Sequence, residues 1–150
     1  YTSGNRLVYG GGGIMPDVFI PLDTTENSKY LTDLYRKGLF NRFVLKYVDN
    51  NRDQLKRQFP EFASYKKDFK VSDQLLNDFF ALGETEEIKR DDEGIAKSGE
   101  FIRRQLRALI ANQIWGVNEF YECINESNPI VTEALKVMNS DAFRKMKIKF

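Results

Sequence analysis

Five groups of residues in this 150-residue chain have the types and spacings from which chemistry is built: the run Gly10-Gly11-Gly12-Gly13, the pair Ser64 and Lys67, the acids Glu84, Glu86 and Glu87 with Asp91, Asp92 and Glu93, the strip Arg103, Arg104 and Arg107, and the lone Cys123. A glycine loop cradles phosphate when it follows a strand and opens a helix, because the backbone N–H groups then point at the anion. Here Ile14-Met15-Pro16 and a β-prone run follow instead. The run therefore reads as a turn or a close backbone approach. Ser64-Tyr65-Lys66-Lys67 fits S-x-x-K, the spacing that lets a lysine serve a serine nucleophile. It stands without an accompanying Ser-Asp-Asn or Lys-Thr-Gly, in a lysine-rich polar stretch. Carboxylate pairs do acid–base work when burial separates their pKa values. These acids lie beside Lys89 and Arg90 in a polar stretch and are expected to be solvated. The arginine strip is expected to be a solvated helix face, with an acidic partner as the alternative. Cys123 is expected to be buried and inert.

Composition narrows the chemistry further. The chain has no histidine, which excludes Ser-His-Asp and Cys-His mechanisms and histidine-ligated metals within it. One cysteine forms no internal disulfide and no Cys₂ zinc site. No cofactor, metal site or catalytic residue is expected. Lys and Arg number 23 against 22 Asp and Glu, so no basic excess points to nucleic acid. Apolar residues make up 41% and aromatics 13%, an ordinary globular composition. A chain of this length buries about 70% of its unfolded surface and needs no staples. No apolar run approaches the ~20 residues that span a bilayer. The sequence opens on Tyr1 rather than Met, so a fragment, processed product or trimmed chain is expected.

The elements that would position these residues follow from periodicity. Arg6–Tyr9 and Asp17–Ile20 are β-prone runs around the glycine turn, which predicts a short two-stranded β segment. From Ser28 the period becomes helical. Leu31, Leu34 and Tyr35 share a face that Gly38 interrupts. Phe40, Phe43, Val44, Tyr47 and Val48 fall at i, i+3, i+4, i+7 and i+8, and Pro60 ends the pattern. Ser72 caps a helix with Leu75, Leu76, Phe79 and Phe80 inward and Gly83 as its C′ residue. A polar loop or frayed helix over 84–93 precedes a long helix, about 93–115, with Ile95, Ile102, Leu106, Leu109, Ile110 and Ile114 in its stripe. Gly116 closes it, and a short helix through Phe120 and Ile124 follows. Asn128 and Pro129 start the last clear helix, with Val131, Ala134, Leu135 and Met138 inward. The tail 144–150 alternates Lys with apolar residues and reads as a short strand or frayed end. The aromatics are expected to be core, with any surplus marking a partner surface. The fold expected is mainly α: a bundle of about five helices over 28–150, preceded by the β segment over 1–27.

The stretch Asn5-Arg6-Leu7-Val8-Tyr9-Gly10-Gly11-Gly12-Gly13-Ile14-Met15-Pro16-Asp17-Val18-Phe19-Ile20 resembles the "GR-x-V-Y-GGGGI-x-PD" signature of the carboxyl-terminal (tail-specific) processing serine proteases. Gly10, Gly11, Gly12, Gly13, Ile14, Pro16 and Asp17 carry the match; Asn5 stands where a Gly is usual. The continuation to Asn50, the Phe69–Ser72 helix start and the Leu106–Trp115 helix resemble the C-terminal extension of exported members. The resemblance implies a Ser/Lys dyad upstream of Tyr1, a PDZ domain that recognises substrate C-termini, and residence in the cell envelope or periplasm. Residues 1–27 would then be terminal strands of the protease core, and 28–150 a non-catalytic helical domain for core packing, oligomerisation or substrate access. The partners implied are the rest of the parent protease, further copies of the chain and the parent's protein substrates. The alternatives are a free-standing helical interaction module and, more weakly, a phosphate-binding enzyme using Gly10–Gly13.

Overall fold

A computed structural model describes Pro16 and residues 18–141 of the chain, and the described residues are mainly helical. Seven helices occur among them: α1 (Lys29–Arg36), α2 (Leu39–Gln58), α3 (Phe62–Asp68), α4 (Asp73–Thr85), α5 (Asp92–Ile114), α6 (Val117–Asn125) and α7 (Pro129–Met138). They fall into two compact units. Asp23–Glu126 holds α1 to α6; the described residues up to Leu22 and those from Ser127 onward, with α7, belong to the other.

In the larger unit α1, α4 and α5 start on side-chain caps. Ser28 Oγ accepts from Leu31 N–H at 3.0 Å, Ser72 Oγ from Leu75 N–H at 3.1 Å, and Asp91 Oδ1 from Gly94 N–H at 3.1 Å. Each satisfies an N–H that the helix leaves unpaired. Gly38 (φ +65°) makes the left-handed turn that separates α1 from α2.

The apolar stripes close on α5. Ile102, Leu106 and Ile110 are fully buried, and α1, α2 and α6 pack on the helix that carries them, while α4 packs on α2. Of the expected inner faces, Leu31 and Leu34 of α1, Phe40, Val44 and Val48 of α2, and Leu75, Leu76, Phe79 and Phe80 of α4 are buried, Phe43 and Tyr47 are partly buried, and Tyr35 is exposed. Aromatic pairs knit them, with Phe40 and Phe79 ring centroids 4.8 Å apart and Phe43 edge-on to Phe79 at 5.3 Å.

Several expectations are corrected. The stretch after Pro60, read as a polar linker, forms α3, because Tyr65 is fully buried between Phe59, Phe69 and Trp115. Val18, Phe19 and Ile20 form no strand, and no strand occurs among the described residues, so the predicted two-stranded segment is not seen; its first run, Arg6–Tyr9, lies outside them. Gly83 is not a C′ residue. It is buried inside α4, and a Cβ there would meet Leu34 Cδ2 at 3.2 Å. α4 instead ends in a Schellman arrangement, with Ile88 N–H donating to Gly83 O at 3.0 Å and Glu87 N–H to Glu84 O at 3.1 Å. Glu87 takes the left-handed position (φ +63°) and buried Ile88 supplies the apolar contact. None of α7's residues is buried, although Val131, Ala134, Leu135 and Met138 read as inward-facing.

The closest backbone approach is at Gly94, where a Cβ would lie 2.8 Å from Tyr30 Cβ and 2.5 Å from Asp91 Oδ2. Tyr30 Cβ is fixed to the α1 backbone, so an added methyl must push α1 off α5. Gly94→Ala is therefore expected to cost about 2 kcal/mol, the overpacking outweighing the better helix propensity of alanine. Glu87→Gly is expected to gain about 0.5–1 kcal/mol by relieving the left-handed strain. Urea unfolding followed by circular dichroism measures both.

Candidate functional site

Several of the residues singled out for chemistry are held in structural contacts. Ser64 Oγ donates to Glu61 O at 2.7 Å, closing the first turn of α3, and Lys67 is exposed. The neighbouring Lys66 pairs with Glu122 at 3.1 Å, and that hydrogen bond raises its ammonium above the ordinary lysine value. A lysine base needs the opposite shift. Glu86 pairs with Arg42, Asp91 caps α5, and Asp92 pairs with Arg90 at 3.1 Å. These acids are exposed or half-exposed, as a solvated reading requires. Cys123 is buried, and burial pushes its thiol up, away from the thiolate that a nucleophile needs. No group of three or more metal-ligating side chains occurs among the described residues, and no helix among them is long and apolar enough to cross a membrane. Of the signature residues, Gly10, Gly11, Gly12, Gly13, Ile14 and Asp17 lie outside the described residues; Pro16 is exposed.

The arginine strip is where sequence reasoning missed most. It is no idle solvated face: each arginine holds a different segment against α5. Arg103 donates to Val71 O at 2.7 Å and pairs with Asp73, fixing the start of α4. Arg104 pairs with Glu26, just before α1, and its guanidinium lies 5.8 Å from the Phe101 ring centroid. Arg107 donates to Lys66 O at the end of α3 and pairs with Glu126 at 2.7 Å, just after α6. Tyr65 O–H donates to Arg107 O at 2.8 Å from the other side. The guanidinium, with five donors in a planar fork, reaches a carbonyl and a carboxylate at once. Beside Arg104, fully buried Ser98 donates to Glu26 O at 2.6 Å, and its hydroxyl lies 2.8 Å from Ser28 Oγ. The entry to the unit near Glu26 and its exit near Glu126 are thus held by arginines three positions apart on one helix, which are surface neighbours.

The unit also has an open apolar groove of about 370 Å³ between α2 and α4. Phe43 and Tyr47 floor it from α2, their rings nearly parallel, and Leu75, Ala81 and Leu82 from α4; Lys46 and Asp78 stand on its rim. The spacing Phe43/Tyr47 signalled the face that forms it. Its being left open depends on how far α4 reaches, which no local pattern encodes.

Tyr30 is the core tyrosine whose hydroxyl is left unpaired. Its ring is buried edge-on to Phe80 at 5.8 Å, and its hydroxyl finds no partner among the described residues. Burial pushes its phenol up to about 12. Tyr35 is likewise pushed up by burial to about 12, and Tyr65 further still. The folded-state values are raised, so the stability they contribute is whole below the ordinary tyrosine value of 10.0 and is lost as pH rises toward about 12. Tyr30→Phe removes the unpaired hydroxyl and is expected to raise stability by about 1 kcal/mol at neutral pH and to flatten the loss above about pH 10. Urea unfolding at neutral and alkaline pH, with phenolate absorbance as a second probe, checks both.

No curated protein and no solved structure matches the chain. Residues 30–116, from α1 through the glycine that follows α5, match a family of unknown function, DUF8443, and the chain belongs to that family.

Proposed function

We propose that this chain is the non-catalytic helical part of an exported carboxyl-terminal processing serine protease of the cell envelope or periplasm, whose Ser/Lys dyad lies upstream of Tyr1. The observation that carries the reading is the Asn5–Ile20 stretch, with four consecutive glycines followed by Ile-x-Pro-Asp. The pairing of Ser64, Lys66 and the acids in structural contacts is consistent with it, since such a part holds scaffold and no reactive group. Its work in the parent is mechanical: packing on the core, holding protomers together or shaping the path of the substrate. The α2–α4 groove favours a second reading, a helical interaction module that takes an apolar segment of another protein.

The 150-residue chain is expected to hydrolyse no unstructured peptide. The intact polypeptide isolated from its source is expected to cleave the same peptide near its C-terminus and to lose that activity when an upstream Ser or Lys is replaced. Hydrolysis by the 150-residue chain alone, or an intact polypeptide without Ser/Lys hydrolysis, overturns the reading.

A further inference from the structure

We infer that the helical unit Asp23–Glu126 is an insertion within the protease core rather than an extension after it, and that α7 is the core's returning element, docked on the core through Ile130, Ala134, Leu135 and Met138. This rests on the reading proposed above.

Three observations carry it. The first is the path of the chain. An inserted domain must bring its two ends together, because host strands or helices on either side have to stay in register. Glu26 and Glu126, at the two ends of the helical unit, are bound by Arg104 and Arg107, which are neighbours on α5. An extension would need no such closure. Arg104 and buried Ser98 fix the entry twice, through the Glu26 carboxylate and the Glu26 carbonyl.

The second is the grouping of what lies outside the helical unit. α7 falls in one compact unit with the segment ending at Leu22, although the whole helical unit separates them in sequence. Under the proposed reading that segment is the continuation of the glycine signature, which is core. An element that groups with it across such a gap belongs to the same body.

The third is the inverted polarity of α7. Pro129, Thr132, Glu133 and Lys136 line a cleft against Val18–Pro21, and Glu133 pairs with Lys136 at 3.0 Å. Ile130, Ala134, Leu135 and Met138, at i, i+4, i+5 and i+8, form the opposite side. Ile130, Leu135 and Met138 are 51%, 54% and 64% exposed. A helix that turns its polar side inward and its apolar stripe outward has its burying partner elsewhere. The segment ending at Leu22, which groups with α7, continues directly from the signature, so the body that this segment belongs to under the proposed reading is the one that supplies the cover. The occupant is therefore the core of the same polypeptide. The helix itself carries one pair of opposite charges and no basic excess, which gives an anionic lipid surface no hold on its stripe.

The test uses the intact polypeptide and three variants: excision of Asp23–Glu126 with a short Gly/Ser linker from Leu22 to Ser127, Leu135→Asp with Met138→Asp, and Leu45→Asp on the exposed side of α2 as a control. Calorimetry follows the melting transitions, peptide hydrolysis the activity. Excision is expected to remove the helical unit's transition and keep the core's. The stripe variant is expected to lower the core's transition by about 5 °C or more and hydrolysis by about tenfold, leaving the helical unit's transition in place. The control moves neither the core's transition nor hydrolysis. Loss of the core's fold on excision, a stripe variant that shifts only the helical unit or nothing, or one that loses only vesicle binding or self-association, overturns the inference. Should the intact polypeptide show no Ser/Lys-dependent hydrolysis, the proposed function fails instead, which the unsubstituted protein alone reveals.

Discussion

The helical unit depends on α5 being covered along almost its whole length. A 23-residue helix with eight buried residues is stable in water only if other elements enclose it. None of its partners is long enough to do so alone, except α2 over part of its course. The enclosure is therefore assembled from pieces, with α1, α2 and α6 each taking a stretch. Their ends and connections need holding, and the helix supplies the means itself. Its buried Gly94 admits Tyr30 of α1 at close range, and Arg103, Arg104 and Arg107 reach out at its border to the carbonyls and carboxylates of arriving segments. These ion pairs are partly exposed and each contributes little alone. Their importance is geometric: they decide which loop lies where.

Much of this was legible from residue types. Ser28, Ser72, Asn128 and Pro129 mark helix starts because a capping oxygen or a proline at the first position has an identifiable local task. The stripes of α2, α4 and α5 are legible because burial repeats at the helical period. What escaped has non-local causes. α3 was hidden because its polar surface dominates seven residues, while its single anchor, Tyr65, earns burial from Trp115, fifty positions on. Gly83 looked like a helix terminator when its real constraint is Leu34 across the interface. The arginines looked solvated because their partners lie 19 to 78 positions away. α7 carries an ordinary amphipathic pattern, and nothing within its ten residues says which body the apolar side faces.

For the candidate chemistry, the residue types were legible and their partners were not. The chain has no histidine, its one cysteine is buried, and the S-x-x-K serine closes a helical turn. The α2–α4 groove and the α7 stripe differ in kind. The groove is a notch between two helices, whereas the stripe is an entire helix face. That difference is why the stripe argues for a permanent covering and the groove for a reversible one.

Trp115 lies with its ring 4.9 Å from Tyr65 and 5.8 Å from Phe62, at the corner where α3 meets the end of α5. It is the single tryptophan of the chain. The indole's own emission consequently reports on this corner. An emission change registers the seating of α3, the element with the least sequence signal of its own.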